Sequence, residues 1–159
     1  MLRISKLADY AMVIMNYMAR QPTQLLSAAG IARQVPVAAP TVSKILKLLS
    51  EAGLVASARG AGGGYRLAKS PEEITLADMV TAIDGLPAIT ECSQSANLCA
   101  HDSICSIRGN WLLINQVISE VLESLTLADM AKPLHKPMLT QRVKAKYPVF
   151  AVQLEDQSA

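Results

Sequence analysis

Residues 39–67 read APTVSKILKLLSEAGLVASARGAGGGYRL, and two local signals adjoin in that stretch. From Ala39 to Ala52 the apolar residues Val42, Ile45, Leu46 and Leu49 recur at steps of three and four, the stripe of an amphipathic helix. Pro40 suits the first turn, where no intrahelical N–H is lost, and Gly53 suits the helix end. Leu54–Ala58 then predicts a short strand, Gly60-Ala61-Gly62-Gly63-Gly64 a turn, and Tyr65-Arg66-Leu67 a returning strand. A helix followed by a glycine-tipped hairpin is the second half of a winged helix-turn-helix.

The flanks supply the rest. Upstream, Ser5 caps a helix over 4–20 in which Leu7, Tyr10, Ala11, Ile14, Met15 and Met18 share a face. Ser27 caps a short helix near Ala28–Gln34, and Val35-Pro36-Val37 turns the chain into residues 39–52. Downstream, Thr75 caps a helix over Leu76–Ile83, and 88–108 lacks periodicity and reads as a loop. Asn110 to Met130 reads as one long helix, with Trp111, Ile114, Ile118, Val121, Leu125 and Ala128 as an a/d seam for a second copy of the chain. Leu113, Val117 and Leu122 widen that seam. Thr-Leu-Ala-Asp-Met occurs twice, at 75–79 and 126–130. The first copy starts a helix, and the second is a candidate break near the end of the long one. The expected fold is mainly α with a small β-hairpin: a DNA-binding winged helix-turn-helix over 1–70, a connecting helix and cysteine loop over 71–109, a dimerisation helix over 110–131, and a tail over 132–159 of unassigned structure.

Charge separates along the 159 residues. Residues 1–69 hold nine Lys/Arg against two acids, a net +7, whereas 70–131 hold Arg108 against nine acids, a net −8. A polyanion therefore suits the first half only. Thr41, Ser43 and Lys44 form the polar front of the second helix, with Lys47 on the same exposed side, and Arg59 and Gly60 open the hairpin tip. Hydroxyls and lysine can meet base edges or phosphates, and arginine at a wing tip suits a narrow minor groove. The glycines could suggest a nucleotide loop, but a strand follows them where a phosphate-binding helix should begin. No apolar run reaches the roughly 18 residues of a membrane span, and Asp9 interrupts the opening apolar stretch, so a cytoplasmic protein is expected. No paired carboxylates, Ser/His pair or His-rich metal motif supports an enzyme.

Cys92, Cys99 and Cys105 are the only cysteines and lie within 14 residues. Thiolates at this density suit an iron–sulfur cluster, which takes soft ligands and a wrapping backbone. Three thiolates leave a position for a weaker ligand. Zinc completed by a neighbouring group, or a metal-free thiol switch, are the alternatives.

Arg59-Gly60-Ala61-Gly62-Gly63-Gly64-Tyr65, the opening Leu2–Tyr10 with Ser5-Lys6 and Asp9-Tyr10, and the three downstream cysteines resemble the bacterial Rrf-two family, which includes iron–sulfur regulators of the IscR and NsrR types. The resemblance covers about residues 1–130. It implies a homodimer on a near-palindromic double-stranded operator, with DNA contacts at Pro40, Thr41, Ser43, Lys44 and Arg59. IscR-like proteins carry Glu and Gln where this chain has Ser43 and Lys44, so the target sequence should differ. They also place a histidine ligand where this chain has Arg108. NsrR-like proteins instead use an aspartate from the partner's first helix, and Asp9 matches it. Asp9 is thus the first candidate for the fourth ligand, with His101, Glu91 and Asp102 as competitors. The expected cofactor is a 2Fe–2S cluster, with 4Fe–4S as the alternative. The second Thr-Leu-Ala-Asp-Met and the Arg108/Trp111 pattern look most like regulators, expected to be repressors, of the SUF cluster-assembly operon. A nitric-oxide-responsive repressor is the second expectation.

Overall fold

Hydroxyl side chains start four of the helices. The computed structural model describes residues 4–60, 62–95, 98–100 and 104–146. Ser5 Oγ accepts from the Ala8 N–H at 3.1 Å to begin α1 (Lys6–Ala19), and Ser27 Oγ accepts from the Gly30 N–H at 3.0 Å to begin α2 (Ala28–Ala32). α3 (Ala39–Glu51) follows the turn at 35–37 and buries Val42, Ile45, Leu46 and Leu49, the stripe expected from its spacing. β1 (Val55–Ala58) and β2 (Gly64–Leu67) pair antiparallel, with Val55 opposite Leu67 and Ala58 opposite Gly64. Leu26 adds a one-residue bridge on the far side of β2, exchanging both backbone bonds with Tyr65.

α4 (Leu76–Asp84) begins on a reciprocal capping box between Thr75 and Asp78. A one-turn helix, α5 (Glu91–Gln94), lies within the segment expected to be loop. α6 (Arg108–Ser124) stops short of the expected Met130. Leu125 is extended, and Thr126 and Asp129 form a second capping box that starts α7 (Leu127–Met130). That box satisfies the new N-terminus and ends the old helix, so the continuous helix to Met130 is corrected to two. The tail carries α8 (Lys136–Lys146).

The two Thr-Leu-Ala-Asp-Met copies meet. Thr75 and Thr126 form an antiparallel bridge, the Leu76 N–H donates to the Leu125 carbonyl at 2.9 Å, and the Leu127 N–H donates to that of Ile74 at 2.8 Å. Leu125 and Leu127 thereby join the core built by Ile14, Met15, Ile31, Leu46, Leu49, Ile74 and Met79. Leu125, expected on the intermolecular seam, is 6% exposed and belongs to the chain's own core. Among the described residues, no helix is long and apolar enough to cross a membrane.

Candidate nucleic-acid interface and thiol segment

The buried stripe of α3 turns its other side outward. Pro40, Ser43, Lys44 and Lys47 are exposed and Thr41 is half-buried. Unlike the four hydroxyl-capped helices, α3 begins at Ala38 with no side-chain cap. Its first N–H groups, at the positive end of the helix dipole, are left for water or a phosphate. Lys47 Nζ lies 3.8 Å from Glu51 Oε1, an exposed pair one helical turn apart that holds the ammonium only weakly.

The wing is shaped by its glycines. Gly60 takes φ +108°, which disfavours any side chain, and the Gly63 N–H returns to its carbonyl at 3.0 Å. A Cβ on Gly63 would sit 2.3 Å from the Ala58 carbonyl oxygen, and one on Gly64 would sit 2.8 Å from that of Leu26. The tight tip leaves Arg59 exposed beside Gly60. Ala61 lies outside the described residues.

The thiol segment hangs between α4 and α6. Cys92, Cys99 and Cys105 are free and half-buried. Thr90 Oγ1 lies 3.2 Å from Cys92 Sγ and 2.9 Å from Ser93 Oγ. Among the described residues, no three His, Cys, Asp or Glu side chains converge into a metal-binding group. Asp9 stands exposed in the first turn of α1, and Glu91 is exposed at the start of α5. His101 and Asp102 lie outside the described residues.

Two polar ties escaped the sequence reading. Ser5 donates from its N–H and its hydroxyl to the Asp84 carboxylate, at 3.1 and 2.6 Å, joining the start of α1 to the end of α4. Asn115 of α6 accepts from the Ile89 N–H at 3.0 Å and donates to the Pro87 carbonyl at 3.1 Å. Ser5 and Asp84 are 79 positions apart, and no local pattern links them. Asn115 did carry a signal, a short amide inside the apolar run WLLINQVI.

On α6, Trp111, Ile118 and Val121 are half-buried, whereas Leu113 and Ile114 are 57% and 45% exposed. An apolar helix backed by a winged domain, with its reading helix and wing turned to solvent, defines a winged helix-turn-helix regulator of transcription. Comparison with known proteins carries this further. The profile of the Rrf2 family, described as "Iron-dependent Transcriptional regulator", matches residues 4–133, and the chain belongs to that family of DNA-binding regulators. Protein rrf2 of Nitratidesulfovibrio vulgaris is 30% identical over 69% of this chain and 73% of its own length. The HTH-type transcriptional regulator NsrR of Halalkalibacterium halodurans is 28% identical over 81% of this chain and 90% of its own. Among solved structures, CymR (YrzC), the global cysteine regulator of B. subtilis, shares 30% identity and a TM-score of 0.64, covering 82% of this chain and 97% of that one. T. potens IscR shares 29% identity and a TM-score of 0.59 over 86% of this chain and 96% of that one.

Proposed function

We propose that this chain is a dimeric repressor of SUF-type iron–sulfur assembly genes whose operator affinity follows the state of a cluster held by Cys92, Cys99 and Cys105. The observation that carries the reading is the set of three free, half-buried thiols on one segment beside α6. Their chemistry fits such a cluster, which supplies bonds that respond to iron and oxidants. Asp9 of a second subunit is the proposed fourth ligand. Pro40, Thr41, Ser43, Lys44, Lys47, Arg59 and Gly60 form the proposed DNA surface. The apolar side chains of α6 exposed at Leu113 and Ile114, with Trp111, Ile118 and Val121 beside them, support pairing through that helix.

Anaerobic purification followed by visible absorption, iron and sulfide analysis, and operator binding tests the reading. Coloured protein with iron and sulfide, lost in a Cys99→Ala variant together with cluster-dependent binding, is the expected result. Colourless, iron-free protein that still binds the operator with full affinity overturns it.

Two observations favour other readings. Asp9 and the likeness to NsrR favour a nitric-oxide-responsive repressor; selection of bound DNA from a random pool separates the two operators. The dispersed ligands and the likeness to CymR favour a cluster-free thiol regulator, or one dependent on zinc. Metal analysis of the active protein separates these.

A further inference from the structure

Asn115 uses both halves of its amide on one stretch of backbone. Its carbonyl oxygen accepts from Ile89 and its NH2 donates to Pro87, so residues 87–89 are held to α6 much as a strand is held by a neighbour. This stretch leads directly into the thiol segment. Gly85 turns the chain out of α4 at φ +84°, Thr90 stands just before α5, and Cys92 lies within α5, 3.2 Å from the Thr90 hydroxyl. The stretch also borders a half-open cleft. A cavity of about 400 Å³ lies there, lined by Ala88 and Ile89 on one side and Ile118 and Leu122 of α6 on the other. α5 packs on α6 as well, and the amide adds the directional tie that sets where residues 87–89 meet the helix. We propose that Asn115 is the positioning residue that couples the thiol segment to α6. A change of state at Cys92 then strains or releases residues 87–90, and Asn115 passes the change to α6. This inference rests on the thiol-sensing reading above.

The test uses the full chain and its selected operator, with thiols reduced or alkylated by iodoacetamide. In the wild type, alkylation is expected to change operator affinity by about fivefold or more, the usual scale of coupling between sites. In Asn115→Ala the reduced protein is expected to bind as before, while the response to alkylation shrinks to within about twofold, the scale of independent sites. Asn115→Asp keeps the acceptor for Ile89 but loses the donor to Pro87, and its response is expected to fall between the two. It also serves if the alanine variant does not fold. Amide exchange supplies a readout free of DNA: protection at Ile89 and across 90–95 should fall in Asn115→Ala, with α1 to α3 unchanged. A wild type indifferent to alkylation overturns the coupling at Cys92, whereas the cluster reading falls on the iron and sulfide analysis above, so the two failures are distinct. A wild type that responds, beside an Asn115 variant that responds equally, overturns the Asn115 assignment alone.

Discussion

At the scale of single residues, the wing concentrates the constraints. Arg59 is exposed next to a glycine at positive φ, so its side chain contributes little to folding and is free for a polyanion. Arg59→Ala should weaken operator binding by about 1–3 kcal/mol at matched salt and leave the melting temperature unchanged. Equal affinity in a titration at two salt concentrations would remove the wing from the interface. Gly63→Ala attacks the same surface from within. Its Cβ meets the Ala58 carbonyl oxygen at 2.3 Å, so backbone has to move, and overpacking of this kind costs about 1–3 kcal/mol. Denaturant unfolding should show that loss alongside weaker binding, whereas Arg59→Ala should show the binding loss alone.

At the scale of elements, capping decides where helices begin and end. Thr126→Ala removes the hydroxyl that accepts from the Asp129 N–H and should cost about 1 kcal/mol, read from thermal unfolding. Asp129 itself is opposed by burial, but hydrogen bonds from the Thr126 N–H and hydroxyl, and the Arg142 guanidinium, outweigh it and hold its carboxyl below the ordinary 3.8. A carboxyl depressed in the folded state stabilises fully above its unfolded value and loses that contribution as pH falls through the lower folded value. Wild type should therefore exceed Asp129→Asn in stability at neutral pH, and the gap should close on acidification below about pH 4. A gap that stays constant in urea titrations across that range would contradict the assignment. Much of this level was legible in the chain. Ser5, Ser27 and Thr75 each announced a helix start, and the apolar spacing in 39–52 located every buried residue of α3. The break at Leu125 was legible only as a repeated pentapeptide, because the apolar period of α6 runs on without a change of phase. One-turn α5 carries no period to read. The spacing between Asp9 and the cysteines was beyond reach as well, since it depends on tertiary placement.

At the scale of the whole molecule, charge and exposure divide the labour. Residues 1–69 carry a net +7 and 70–131 a net −8, so long-range attraction orients the winged face toward DNA and residues 70–131 away from it. Leu113 and Ile114 are the exposed apolar side chains of the proposed α6 interface: Ile114→Glu is expected to convert the proposed dimer into monomers in sedimentation experiments at micromolar concentration. Operator affinity should fall with it, because paired half-sites reward only paired readers. A wild-type monomer under the same conditions would discard α6 as the interface. The meeting of the twin pentapeptides gives the chain a mechanical property. α6 is 17 residues long, a lever of about 25 Å, joined at one end to capped α7 through the extended residues Leu125 and Thr126. Rotation of about 10° at that joint sweeps the far end through about 4 Å, more than the length of an amino-acid residue along an α-helix. Small torques near residue 125 thus become large displacements near residue 108, three residues beyond the last cysteine, and the gearing works equally in reverse.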